Sequence, residues 1–556
     1  MAEEYDGKAA ELLAEKRSTI SGDVNGHVHR RQRERVVEAQ ILLVAALVLV
    51  VVDLIWKVAM VTQTLSERLA SSGVPGLDEV LIGGLERENL YLIEGTPGSG
   101  KTTLAMQFLI EGARHGEGTL YITLSESEQE LRKTAASHGW SLEGVTILQV
   151  IPLEADPDQQ QGLLHPSEVE LGHTIKLIMD KIDQEKPARL VIDALTELRL
   201  LAEDSFNYRR QILTLKRFFS ERDCTVLALD DLTETVPGLH LHSVVHGVFS
   251  LEQRRMEYGA VRRRLSIIKL RGVDFRSGYH DYIIQTGGLR VFPSLVAAQH
   301  KASFHSDPIS SEKPELDALL GDALRRGTST LLIGPSGVGK STLAIQIALA
   351  AAKREERAAL FAFDESYRTA ADRGRRLGLD LDAPKEAGRL SWTDLSPTTL
   401  SPGEFVSEVQ REVAAGARVV VIDSLNSYIA SMPQEQALIL HMHELLTYLG
   451  NQGIVTILIL AQHGLVGETH VPLDLSFMAD TIVLLRYFEA EGQVRKAVSV
   501  LKSRAGEHET TIREYTLSSK TGVTVGEPLR GFQGVLTGVP RFVGTREALA
   551  ESSDDE

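Results

Sequence analysis

Two nine-residue stretches of this chain have the residue types and spacing to hold a polyphosphate. The first is Gly95, Thr96, Pro97, Gly98, Ser99, Gly100, Lys101, Thr102 and Thr103; the second is Gly334, Pro335, Ser336, Gly337, Val338, Gly339, Lys340, Ser341 and Thr342. Glycines at these intervals let successive backbone N–H groups turn inward around phosphate oxygens, and a helix starting at the lysine adds a favourable dipole. Lys101 and Lys340 are placed to reach the terminal phosphates, and the hydroxyls of Thr102 and Ser341 to ligate Mg²⁺. Each loop follows an apolar run, LYLIEG or TLLIG, which is the strand–loop–helix context this chemistry needs. The ligand expected at both loops is ATP with Mg²⁺.

Other residues complete the constellation. Asp193 and Asp423 each end an apolar run, RLVIDA or VVVIDS, about 90 residues after a loop. A carboxylate at the tip of a buried strand there is placed to hold the metal shell opposite the loop hydroxyl. Hydrolysis also needs a carboxylate to orient and deprotonate water, and the candidates are Glu126 in the first half and Asp364 and Glu365 in the second. Lys269 and Arg271, repeated as Lys502 and Arg504, sit at i and i+2, which puts two cations on one face of a strand. The pair suits fingers that reach an ATP held by a neighbouring subunit.

These landmarks recur in one order. The two loop lysines lie 239 residues apart, as do Glu126 and Glu365; Asp193 and Asp423 lie 230 apart, and Lys269 and Lys502 233 apart. A constant order at a near-constant offset means a duplicated domain. Within each copy short apolar runs alternate with amphipathic stretches, as in LYLIEG, TTLAMQFLIEGARHG and TLYITL. The expected fold class is α/β: two tandem RecA-like P-loop domains, each a mostly parallel sheet flanked by helices, with added antiparallel strands from runs such as LSIIKL and AVSVLKS. The expected boundaries are an extension at 1–62, domains at 63–297 and 311–538, a linker at 298–310 and an acidic tail at 539–556.

Composition narrows the class. The formal charge of −17 argues against a duplex-DNA binder, which displaces counterions with a basic surface. A single cysteine, Cys224, excludes a disulfide framework and fits a reducing cytosol. His240 and His242 alternate without a further ligand cluster, so no metal beyond Mg²⁺ is expected. Residues 41–52 are wholly apolar but fall short of the roughly 20 needed to span a bilayer. They read either as a membrane-associated helix, giving peripheral attachment through 41–61, or as translated sequence upstream of a start at Met60.

GVPGLDEVLIGGL at 73–85, the two loops, the acidic strand tips, the KLRG run and residues 479–515 together resemble the KaiC family of the RecA/RadA superfamily. The resemblance covers roughly residues 63–538. It implies a cytoplasmic hexameric ATPase with nucleotide between protomers, serving signalling or regulation with a protein partner. Autokinase activity in the second domain is the alternative reading it raises. Two departures bear on that. The first strand tip reads Ser125-Glu126 where the family has paired glutamates. The positions matching the clock protein's phosphoacceptors read Ser476-Phe477, so only Ser476 could accept phosphate. A RecA-like DNA motor and a nucleotide-gated scaffold are the remaining alternatives.

Overall fold

The computed structural model describes residues 68–150, 166–202, 204–232, 239–256, 258–321, 323–430, 438–462, 477–504, 506–537 and 541–543. The apolar segment 41–61, Ser476 and the acidic stretch beyond Val543 lie outside the described residues. From Ser71 onward the described residues form one compact unit, and of the unit ending at Ala70 only three residues are described. Among the described residues no helix is long and apolar enough to cross a membrane.

In the first half the strands and helices that bear on the site are β1 (Leu90–Gly95), α1 (Lys101–Arg114), β2 (Thr119–Thr123), α2 (Glu128–Ser137), β3 (Val145–Gln149), α3 (Pro166–Glu185) and β4 (Arg189–Asp193). They continue with α4 (Leu195–Leu201), α5 (Ser205–Ser220), β5 (Thr225–Asp231), β6 (Gly247–Arg254), β7 (Arg262–Leu270), β8 (Tyr279–Gln285) and β9 (Gly288–Phe292). The sheet order is β9-β8-β7-β6-β1-β5-β4-β2-β3. Strands β1 to β6 run parallel, while β7, β8 and β9 extend the sheet antiparallel.

The second half repeats this plan with β10 (Ser329–Gly334), α6 (Lys340–Lys353), β11 (Arg357–Ala362), α7 (Tyr367–Arg376), β12 (Leu390–Asp394), α8 (Pro402–Ala414), β13 (Ala417–Asp423) and α9 (Leu425–Ala430). It ends with α10 (Leu438–Asn451), β14 (Val455–Ala461), β15 (Thr481–Ala490), β16 (Gln493–Ser503), β17 (Arg513–Ser518) and β18 (Gly522–Pro528). Its order, β12-β11-β13-β14-β10-β15-β16-β17-β18, is that of the first sheet strand for strand. The α/β class and the added antiparallel strands therefore match what the sequence implies.

The P-loop strand sits in the middle of each sheet and is buried along its whole length. Side chains alternate across a strand, so both faces must be covered. Leu332 joins the core beneath α6, whereas Leu331 and Ile333 join the one beneath α8 and α10. A run that is apolar on both faces is stable only in such a sandwich, which is why Leu90–Ile93 and Leu331–Ile333 carry no polar alternation. The two halves touch through the first half's outer strands. The amide of Gly403, at the start of α8, donates to Asp281 Oδ2 on β8 at 2.7 Å, and Ala260 N donates to Thr398 O at 2.9 Å.

Candidate nucleotide sites

Each loop leaves the C-terminal end of its central strand and enters its helix through a glycine in the left-handed region, Gly100 at φ 99° and Gly339 at φ 112°. A side chain there would be strained. At Gly95 and Gly334 the limit is space instead: a Cβ would stand 2.4 Å from the carbonyl oxygen of Leu251 or of Leu485. Backbone freedom and close strand packing thus fix the loop shape before any side chain acts.

In the first site the Thr102 hydroxyl donates to Asp193 Oδ2 at 3.0 Å, and the Tyr121 hydroxyl donates to the same oxygen at 2.5 Å. The hydroxyl–carboxylate pair expected to hold a metal is therefore assembled. Burial pushes the Asp193 carboxyl up, against the pull of those two hydrogen bonds and of Lys101. Lys101 Nζ donates to the carbonyls of Gly95 at 3.0 Å and Thr96 at 3.2 Å and pairs with Asp231 Oδ1 at 2.6 Å. Glu126 stands just before Ser127, which caps α2 by accepting from Glu130 N while its own amide donates to Glu130 Oε2 at 2.8 Å. That cap fixes the strand tip. Burial, Asp193 and Glu130 all push the Glu126 carboxyl up.

The second site repeats the core and changes the surroundings. Ser341 is hydrogen-bonded to Asp423, whose carboxyl is pushed up by burial and by Asp364 and Glu365. Lys340 Nζ donates to the carbonyls of Gly334 and Pro335, both at 2.8 Å, and burial pushes its pKa down to about 8. Asp364 accepts from Ser424 Oγ at 2.7 Å and from Ser427 Oγ. Glu365 accepts two bonds from Arg373, from Nη2 at 2.6 Å and Nε at 3.2 Å, and Arg373 Nη1 also donates to the Thr342 hydroxyl.

The cation pairs lie elsewhere. Lys269 is in register with Val248, which is in register with Leu92; Lys502 aligns with Ile482 and so with Leu331. Each is three residues back along the central strand from the loop glycine, about 10 Å at the usual rise, and each arginine lies further away. Arg271 and Arg504 fall just past their strands' ends, so the two-on-one-face arrangement is only partly strand-borne. All four cations bond to backbone carbonyls: Lys269 to His242 and Val245 (3.0 Å), Arg271 to Ser243 (2.7 Å), Lys502 to Ala479 (2.8 Å) and Arg504 to Phe477 (3.3 Å). His242 faces Glu94 at 2.8 Å.

Tyr121, Asp231, Arg373 and the Ser424/Ser427 pair escape the motif reading. Asp231 had a faint signal, since TVLALDD ends in two carboxylates like the other strand tips. Arg373 had none, being one of several arginines in one helix.

The KaiC ATPase model matches the chain twice, at residues 70–296 and 309–530. This chain belongs to the KaiC ATPase family. It is 27% identical over 499 residues to a protein named circadian clock protein KaiC3 from Synechocystis sp., covering 86% of this chain and 95% of that one. It is 26% identical over 490 residues to a circadian clock oscillator protein KaiC from Parathermosynechococcus lividus, covering 86% and 88%. A circadian clock protein KaiC2 from Synechocystis sp. is 28% identical over 508 residues, covering 88% and 87%. The chain is thus a tandem KaiC-type ATPase, nucleotide-binding and of RecA-like P-loop architecture.

Proposed function

We propose that both halves of this KaiC-family chain bind Mg-ATP and hydrolyse it, in a ring of copies that serves a regulatory role. The carrying observation is the repeated contact of loop hydroxyl and strand-tip aspartate beside the loop lysine: Thr102 with Asp193, and Ser341 with Asp423. A hydroxyl and a carboxylate are the hard oxygen donors that suit Mg²⁺, so Thr102 with Asp193 and Ser341 with Asp423 would hold the ion. When bound, the ion neutralises charge on the β- and γ-phosphates.

The chain's own groups supply the rest. The loop amides and Lys101 or Lys340 hold the phosphates, and the lysine must first give up its carbonyl partners. Glu126, and Glu365 with Asp364 nearby, orient a water and accept its proton as it attacks the γ-phosphorus, yielding ADP and phosphate. The register of Lys269, Arg271, Lys502 and Arg504, away from their own loops, favours service to the ATP of a neighbouring copy. That geometry supports a ring, and a hexamer is the proposed size. The proposed domain limits are those read from the sequence, with the loops, strand tips and cations of each half inside them.

The test is Lys101→Ala combined with Lys340→Ala in the full chain. Fluorescent ATP-analogue binding should be lost, and light scattering of the unmutated protein with Mg-ATP should give a mass six times that of the chain. Retained binding in the double variant would overturn the site assignment. A monomer under saturating ATP would remove the role of the cation pairs between copies.

A further inference from the structure

Among the described residues, the second strand tip carries an ion pair that the first lacks. Ser366 caps α7 by accepting from Thr369 N, which places Glu365 immediately before the helix. Arg373, two turns into that helix, reaches back with a planar fork. Nη2 and Nε each bind one oxygen of Glu365, while Nη1 binds the Thr342 hydroxyl in the first turn of the P-loop helix α6. Bidentate Arg–carboxylate pairs fix geometry as well as charge. Applying the 239-residue offset, the first half has Thr134 at this position, and a threonine can form no such fork. Glu126 has acidic neighbours where Glu365 has a cation. The Arg373 and Glu365 side chains are 31% and 23% exposed, so water reaches the pair and its opening is not prohibitive.

We propose that Arg373 is a positioning residue that latches Glu365 to the P-loop helix, and that the second site hydrolyses ATP only while this fork is open. Its action on the reaction goes entirely through Glu365. The proposal rests on the reading of Glu365 as a water-orienting acid, and the experiment separates the two.

The background is the full chain with Glu126→Gln, so that turnover reports the second site. Arg373→Ala is expected to raise kcat about three- to tenfold, with KM for ATP unchanged. Arg373→Lys, which keeps the charge and loses the fork, should fall between. Adding Glu365→Gln to Arg373→Ala should erase the gain, a non-additivity that a merely structural role of Arg373 would not produce. If alanine at 373 prevents folding, Arg373→Gln, closer in length, carries the same expectation. An unchanged or lower kcat without Arg373, where Glu365→Gln alone still slows turnover, overturns the latch and leaves the acid's role standing. If Glu365→Gln has no effect in either background, the reading of Glu365 fails, and the latch fails with it.

Discussion

In the first half the P-loop lysine pairs with Asp231 at 2.6 Å, whereas in the second the register-equivalent residue is Ala461 and Lys340 bonds only to the carbonyls of Gly334 and Pro335 among the described residues. The strand tips differ in the opposite sense. Glu126 lies among Asp193 and Glu130, which with burial push its carboxyl up; Glu365 is held by Arg373. Two copies of one motif therefore rest in different electrostatic states. In the first, the loop lysine is held by a carboxylate; in the second, the strand-tip carboxylate is held by a cation. Duplication preserved the loop, which is backbone geometry, and left the neighbouring side chains free to diverge.

The two sites differ most at their strand-tip acids. Glu126→Gln should cut first-site turnover about 10²–10⁴-fold, the usual worth of a positioned base. Glu365→Gln in the otherwise unmutated chain should cost total turnover much less, because its acid is latched. Single-turnover hydrolysis separates the two, and equal losses would refute the asymmetry. The pH profile has a definite sign. A base must be deprotonated to act, and the Glu126 carboxyl is raised, so first-site turnover should fall on acidification at pH values above the ordinary glutamate range.

The halves should also differ in stability. Arg189 is fully buried on β4, donating to Glu117, to Ser71 O at 2.7 Å and to Phe108 O at 2.9 Å. Burial works against the charge on Glu117, but hydrogen bonds from Arg189 and Arg87 hold its carboxyl below the usual range. Applying the 230-residue offset, Val419 occupies the corresponding place in the second half and is equally buried. Arg189→Met leaves Glu117 with Arg87 alone and should destabilise the first half by about 3 kcal/mol. Cys224 reports it: its thiol sits in the first half's core, and burial pushes its pKa up to about 12. Labelling of Cys224 in rising urea should come earlier in the variant. An unshifted midpoint would show that the buried cation contributes nothing.

The smallest expected effect is at Asp231. Replacing it with the second half's residue, Asp231→Ala, frees Lys101 for phosphate and should tighten ATP binding at the first site several-fold, about 1 kcal/mol. Equilibrium binding in a Lys340→Ala background measures it. Weaker binding would mean that Asp231 presents the lysine rather than competing for it.

The loops, strand tips and repeat were legible because each is contiguous and periodic in the chain. Glycine spacing, an apolar strand and a helix start are local properties, so Gly95–Thr103 and Gly334–Thr342 could be read without a fold. Asp193 and Asp423 needed only the offset. The cation pairs were legible as motifs, but their distance from their own loops depends on the register of β6 with β7 and β15 with β16.

By itself the sequence determined a doubled α/β ATPase fold with two glycine loops and the strand-tip acids spaced after them, because backbone chemistry and burial pattern are written residue by residue. Only the tertiary structure decided that Lys101 meets Asp231, that Tyr121 supports Asp193 and that Arg373 holds Glu365. Those contacts join side chains from different strands and helices, or from successive turns of one helix. Strand order, helix phase and side-chain reach bring them together, and no local spacing encodes that.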